Sequence, residues 1–298
     1  MTVESKLQKY TSKNFDIDKI DRQTINILTH LINNTLEDPN ESVDLLEMLQ
    51  SKRETCRDVY REISIFTWFY PGFQILVMDI VLKHYEIPTG TFLLENIIKI
   101  MSLLCEESVV CEDVLKSRTD TILHPFLINN VVDFSEKVKL QTLEVYCSIF
   151  RTLNGTACDC IQYGEILPIA LKIISMSETR LRVKGTYLLF LIISIQIYVD
   201  EDVYLYKGLD YSVQTLDRFN AIDMVISPLV IYGINTKNPL LLKNVFRIYL
   251  KLCEKPNVRN KLFEENIPEA LFSKEIVSIL KSDFELNELH KKMTKLMN

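Results

Sequence analysis

Apolar residues along this chain recur at helical spacing. In Asn238–Glu254, Leu241, Leu242, Val245, Phe246, Tyr249 and Leu252 form one wide stripe, and Lys243, Arg247, Lys251 and Glu254 mark the other side. Asn238 suits the N-cap, and Pro239 fits the first helical position, where its missing N–H costs nothing. Ser135–Leu153 has the same form. Leu143, Tyr146, Phe150 and Leu153 lie on one side with Val138, Val145 and Ile149 beside them, and Lys137, Gln141, Glu144, Ser148 and Arg151 lie opposite. Tyr187–Val199 is apolar nearly all round, which predicts a core helix covered on both flanks. Further helices are predicted near 20–35, 41–51, 54–68, 73–85, 91–105, 119–130, 165–176, 212–234 and 274–295. Asp200–Asp210, opening with Asp200, Glu201 and Asp202, reads as a solvated loop, and no strand pair with a hairpin signal stands out.

A repeat is superimposed on this pattern. Helices open at Pro125, Pro168, Pro228 and Pro268, at spacings of 43, 60 and 40 residues. Armadillo and HEAT units recur at roughly 40–47 residues. The expected fold is therefore all-α, an armadillo-type right-handed solenoid of about six repeats with one continuous core. Residues 1–19 read as an N-terminal extension with a partly ordered helix, and 20–298 as a single armadillo-repeat domain.

Composition narrows the function classes. Among 298 residues, seven Gly and nine Pro are too few for a turn-dense β fold or for phosphate-cradling loops. The net charge of −6 is the wrong sign for a dedicated nucleic-acid binder, so weak or no direct nucleic-acid binding is expected. The first twenty residues are mixed polar and charged, unlike a secretory signal, and the thirteen apolar positions of Tyr187–Val199, interrupted by Ser194 and Gln196, fall short of the ~20 needed to span a bilayer. No membrane partner is expected. The sequons at Asn33, Asn40 and Asn154 read as chance matches, and the scattered Cys, with only Cys158 and Cys160 close, suit a reduced chain in the cytoplasm, with the nucleus as a second location.

Catalytic motifs are missing. There is no glycine-rich phosphate loop, no His-Glu-x-x-His and no Gly-x-Ser-x-Gly, and His30, His84, His124 and His290 have no ligand partner at helical spacing. No catalytic residue, metal or cofactor is expected. Arg180, Arg182 and Lys184 diverge by about 200° per two residues on a helix and read as a solvated helix start. The 13 Tyr and 14 Phe recur mostly at core spacing.

Several blocks together resemble one family. They are Lys52-Arg53-Glu54-Thr55 with Trp68 downstream, Pro125-Phe126-Leu127, Glu165 through Ile173, Asp217-Arg218-Phe219, Leu241 through Leu252, and Pro256-Asn257-Val258-Arg259. In order and spacing, from about residue 20 to 285, they resemble the "required for cell differentiation" (Rcd) proteins, the armadillo-repeat subunit of the Ccr–Not deadenylase complex. The resemblance implies a non-catalytic interaction subunit that docks on the large Not scaffold. It also implies binding of peptide segments from RNA-binding regulators, for messenger-RNA deadenylation, decay and translational repression, and it is compatible with a homodimer. An unrelated armadillo or HEAT adaptor is the alternative, as is a nucleic-acid-binding solenoid using Arg218, Arg247 and Arg259; Arg247 is expected rather to form a structural ion pair.

The chain departs from the family where the resemblance places binding sites. Lys137, Gln141, Glu144 and Lys184 fall at peptide-groove positions, where Lys137 replaces a family Tyr, Glu144 a Gly and Lys184 a Val. At the tryptophan pockets Arg218 matches, while Leu216 replaces a Tyr and Leu240 and Asn257 replace arginines. The expectation is that scaffold docking persists and the peripheral sites have diverged.

Overall fold

The computed structural model describes residues 15–35, 37–86, 91–128, 134–152, 165–200, 203–263 and 268–297. Leu153, Asn154, Cys158, Cys160, Glu201, Asp202, Ile267 and residues 1–14 of the N-terminal extension lie outside them. The sequence folds as all-α helical repeats, the class its periodicity predicts, in two compact units, Met1–Ala157 and Cys158–Asn298.

In the first unit a 3-10 turn at Ile17–Lys19 precedes α1 (Arg22–Asn34), whose N-cap Asp21 accepts from the Thr24 amide at 2.9 Å. Then come α2 (Glu41–Thr55), α3 (Arg57–Phe69), α4 (Phe73–Glu86), α5 (Phe92–Leu104), α6 (Ser108–Lys116), α7 (His124–Ile128) and α8 (Glu136–Thr152). The extended Cys56 ends α2, and Gly72, at φ 95°, turns α3 into α4. Helices α2, α5 and α8 pack on one another in that order, and their first residues are 51 and 44 positions apart. Between its two neighbours α5 buries Leu94, Ile97, Ile98, Ile100, Met101, Leu103 and Leu104, each such side chain stabilising by about 1.5–3 kcal/mol. Asn96 of α5 donates to Ser42 Oγ of α2 at 3.0 Å.

The second unit repeats the scheme. It comprises α9 (Ile166–Met176), α10 (Thr179–Ser194), strands β1 (Gln196–Asp200) and β2 (Val203–Lys207), α11 (Gly208–Ser212), α12 (Leu216–Asn235), α13 (Pro239–Leu252), α14 (Pro256–Lys261), α15 (Lys274–Ser282) and α16 (Phe284–Met297). Here α10, α13 and α16 form the ladder, with first residues 60 and 45 positions apart. Asn238 caps α13 through Leu241 N–H at 3.0 Å, with Pro239 first in the helix. Asn244 of α13, 1% exposed, donates to Val183 O of α10 at 3.2 Å.

Three expectations change. The apolar run 187–199 is not one helix: α10 stops at Ser194, and Gln196–Asp200 pairs antiparallel with Val203–Lys207. Its β-branched and aromatic residues suit a pleated strand, and the Asp200–Asp210 loop becomes the second strand and α11. Gly208 leaves the hairpin with its N–H on Ile195 O at 2.8 Å, and a Cβ there would lie 1.9 Å from Ile192 O, so only glycine fits. Pro228 does not open a helix but sits inside α12. It is exposed, so water can reach the Met224 carbonyl that lost its donor. The segment 274–295 breaks at the extended Asp283, whose carboxylate accepts from Leu286 N–H at 3.0 Å and starts α16.

The single Trp anchors the first unit. Trp68 is fully buried on α3 and donates through Nε1 to Asp113 Oδ2 at 2.8 Å, while Gln74 Nε2 donates to the same oxygen at 3.0 Å. Replacing Asp113 by Ala leaves the indole N–H unsatisfied and should cost about 1–3 kcal/mol. The urea midpoint read by Trp68 fluorescence should fall, and Asp113→Asn, which keeps an acceptor, should lose less.

Candidate docking surfaces

On α8 the alternation of apolar and polar positions sends Val138, Leu143, Val145 and Tyr146 inward and leaves Lys137, Gln141 and Glu144 along one ridge. The Lys137 side chain is 78% exposed, with Nζ 4.0 Å from Glu95 Oε2. Glu95 also accepts from Thr91 Oγ1 at 3.1 Å and Ser135 Oγ at 3.2 Å. Glu144 holds Arg151 Nη2 at 2.7 Å, and that guanidinium reaches Ser148 Oγ at 3.1 Å. Gln141 is half-buried between them. The ridge is a ladder of charge-assisted contacts, which an apolar ligand face would have to desolvate. Lys184, half-buried on α10, belongs to the second unit, next to Gly185, whose Cβ position lies 3.1 Å from Ile174 Cγ1.

Of the tryptophan-pocket positions, Arg218 is committed to its own neighbourhood. Its Nη1 donates to Tyr211 O at 3.0 Å and Gln214 Oε1 at 3.1 Å, and its Cζ sits 4.2 Å above the Tyr211 ring. Leu216 beside it is 57% exposed. Asn257 is exposed on α14, which reaches the same end of α12 through Lys261 Nζ, 5.7 Å from the Phe219 ring. Leu240, 52% exposed, is elsewhere. Helices α12 and α13 run antiparallel, with Gly233 against Leu242 and Asp223 Oδ1 3.4 Å from Tyr249 Oη. That places Leu240 near the far end of α12, about 25 Å along the helix from Leu216. The structure therefore brings Leu216, Arg218 and Asn257 to one end and leaves Leu240 at the other.

Three further cations of the second unit are engaged with their own neighbours. Arg247 pairs with Glu285, and Lys243 lies 3.1 Å from Asp283 and 3.3 Å from Glu285. The hydrogen bond to Asp283 holds the Lys243 ammonium above its ordinary range, the Leu286 amide holds the Asp283 carboxyl below the usual carboxylate range, and Arg247 does the same for Glu285. Arg182 donates to Ile174 O at 3.1 Å and stacks 4.4 Å over the Tyr232 ring. The histidines are similarly local. His30 is 3.6 Å from Glu41, His84 Nδ1 meets Ile80 O at 2.7 Å, and His124 stacks on Tyr146. His290 lies between Phe246 and Phe272, where burial lowers the imidazole pKa. Among the described residues no three His, Cys, Asp or Glu side chains converge to hold a metal ion.

One surface was not singled out by the pattern. Helix α4 buries Phe73, Leu76, Val77, Ile80 and Val81, yet its opposite side carries Ile75 at 72%, Met78 at 41% and Leu82 at 47% exposure. These occur at i, i+3 and i+7, a continuous apolar stripe flanked by the Lys83–Asp79 ion pair at 2.7 Å. The available signal is Phe73–Leu82 itself, apolar on every side except Gln74 and Asp79, which demands a cover on both faces. No single described helix is long and apolar enough to cross a membrane.

The model of the cell differentiation family, Rcd1-like, matches residues 31–297. The cell differentiation protein rcd1 of Schizosaccharomyces pombe is 24% identical over 238 residues, covering 76% of this chain and 79% of that protein. A crystal structure of an engineered protein overlaps 85% of this chain and 96% of its own at 11% identity, with a TM-score of 0.49.

The Arg247–Glu285 contact gives a direct prediction. Both groups are partly exposed, so Arg247→Ala should lower stability by only about 0.5–1 kcal/mol, measured by thermal melting. Oligonucleotide binding at low salt should not change; a marked loss would make Arg247 a phosphate contact instead.

Proposed function

The chain belongs to the Rcd1-like cell differentiation family, and from that membership we propose that it is a non-catalytic docking subunit of the Ccr–Not deadenylase complex. It seats on the large Not scaffold and brings regulators of messenger-RNA decay and translation to the complex, in the cytoplasm and also the nucleus. The observation that carries this reading is the α4 stripe. Ile75, Met78 and Leu82 leave a helix face open; being already partly buried, each would gain about 1 kcal/mol if fully covered, roughly half the value for burying such a side chain from water. An apolar face of this kind, rimmed by charge, is suited to a partner helix laid along it. Catalysis by the subunit is not needed: holding the nuclease near its substrate raises the local concentration of the reacting pair.

The peripheral peptide sites are read as diverged. An apolar peptide laid on α8 would have to bury Lys137 and Glu144 or strip them from Glu95 and Arg151, at a cost of several kcal/mol. That suffices to remove a micromolar contact.

Two measurements test the proposal. Copurification from native extract should return a large scaffold protein; Ile75→Asp with Met78→Asp should lose it while circular dichroism and the melting midpoint stay near those of the unaltered chain. Retention of the scaffold by that variant would remove α4 from the interface. Titration with an amphipathic or Trp-containing peptide from a typical family partner should show no low-micromolar binding, and Lys137→Tyr with Glu144→Gly should improve it about tenfold or more. Ordinary binding by the unaltered chain would refute the divergence.

A further inference from the structure

Helix α12 buries Phe219, Ile222, Ile226, Leu229, Val230 and Gly233. Its outward side carries Ala221, Met224, Pro228 and Ile231 at i, i+3, i+7 and i+10, all exposed, with Met224 at 76% and Ile231 at 56%. These positions run along about 15 Å of one face. From Phe219 to Thr236 the sole charged residue is Asp223, which is half-buried and faces α13, 3.4 Å from Tyr249 Oη. The stripe is therefore uncharged, in contrast to that of α4, where Lys83 and Asp79 pair alongside. A continuous apolar stripe on an outward helix face marks a surface to be covered. At its centre stands a backbone acceptor without its helical donor. Pro228 has no N–H, so the Met224 carbonyl loses the bond that residue i+4 would give, and it points along the helix toward the Pro228 ring. In the free chain water serves that oxygen. A cover that expels the water must bring a donor, because a buried carbonyl left unpaired costs the free energy of a lost hydrogen bond.

We infer that the outward face of α12 is a docking site for an amphipathic helix of a partner protein, one whose apolar stripe is uncharged and holds a single side-chain N–H or O–H donor set against Met224 O. Spacing, charge and the open acceptor together select this occupant. A stripe at i, i+3, i+7 and i+10 fits a second helix laid alongside. A charged helix face would lose its hydration here and find no counter-ion on α12. An anionic membrane surface would call for a cationic rim, and the stretch between Arg218 and Lys237 has no cation. An apolar helix without a donor would leave Met224 O buried and unpaired. The Met224 side chain is unbranched and adapts to the shape of its cover, so discrimination rests with the carbonyl. Helix α12 belongs to the second unit and α4 to the first, so this site stands whether or not α4 seats the scaffold.

Fluorescence anisotropy of the full chain with two labelled helical peptides of about twenty residues decides the matter. Both carry leucines at i, i+3, i+7 and i+10 on an uncharged stripe; one has a glutamine at the centre of that stripe, and its twin has the near-isosteric methionine. The glutamine peptide should bind about tenfold more tightly than its twin. Pro228→Ala returns an N–H to Met224 O and should bring the two affinities within about twofold of each other. Met224→Glu with Ile231→Glu should weaken the glutamine peptide about tenfold or more, with far-UV circular dichroism confirming the fold. Ile75→Asp with Met78→Asp on α4 should leave the preference unchanged. Equal affinities for the two peptides, no binding of either, or a preference that survives Pro228→Ala overturns the inference. So does binding indifferent to the Met224 and Ile231 changes, or a preference lost with the α4 variant.

Discussion

A helix whose surface is apolar on two flanks cannot stand alone in water, and both units are organised around that constraint. Helices α5 and α13 sit in the middle of their ladders, between α2 and α8 and between α10 and α16. Their flanks are covered because the neighbours are there, and each neighbour is stable because it has α5 or α13 to lie on. In this arrangement stability passes from one repeat to the next, not outward from a single centre. The buried side chains supply most of the free energy. Asn96 and Asn244 add direction, because each amide reaches one particular partner on the preceding ladder helix and so fixes how far two helices can slide.

Once the ladders hold the fold, outward faces are free to differ, and they do. The ridge of α8 carries Lys137 beside Glu95 and Glu144 on Arg151, with the half-buried Gln141 between them, a surface whose charged groups already have counter-ions. The stripe on α4 carries three uncovered apolar side chains with the Lys83–Asp79 ion pair beside it. The former resists an apolar visitor and the latter invites one. The difference is a matter of desolvation: apolar area is released from water at a gain, whereas an ion pair must be compensated when water leaves.

Much of this was legible in the sequence, where local and tertiary preferences agree. The limits of α13 follow from Asn238, Pro239 and the periodic stripe, and the inward and outward sides of α8 match its pattern except at Ser148, which the pattern places on the solvated side but which is 1% exposed beneath Arg151. Legibility failed where composition admits two answers. Ile195 to Val199 suits a core helix or a strand equally, and only the pairing with Val203–Lys207 decides. Pro228 looks like a helix start because Pro favours first turns, but solvent at its position permits an interior place. Arg218 and Leu240 share the tryptophan-pocket positions that the family resemblance implies, whereas the antiparallel course of α12 and α13 parts them. Exposure of Ile75, Met78 and Leu82 is invisible to periodicity, since a helix apolar all round declares that it needs covers without saying which one is lacking.

Gly208 shows where length can vary and where it cannot. The backbone at this residue passes so close to the Ile192 carbonyl that no side chain can be accommodated, while its own amide is fastened to Ile195. Chain entering and chain leaving the hairpin are thereby stapled at its root. Residues could be added to or removed from the ribbon without disturbing the helices on either side, as a fabric can be pleated beyond a fixed seam. The glycine makes the insertion modular.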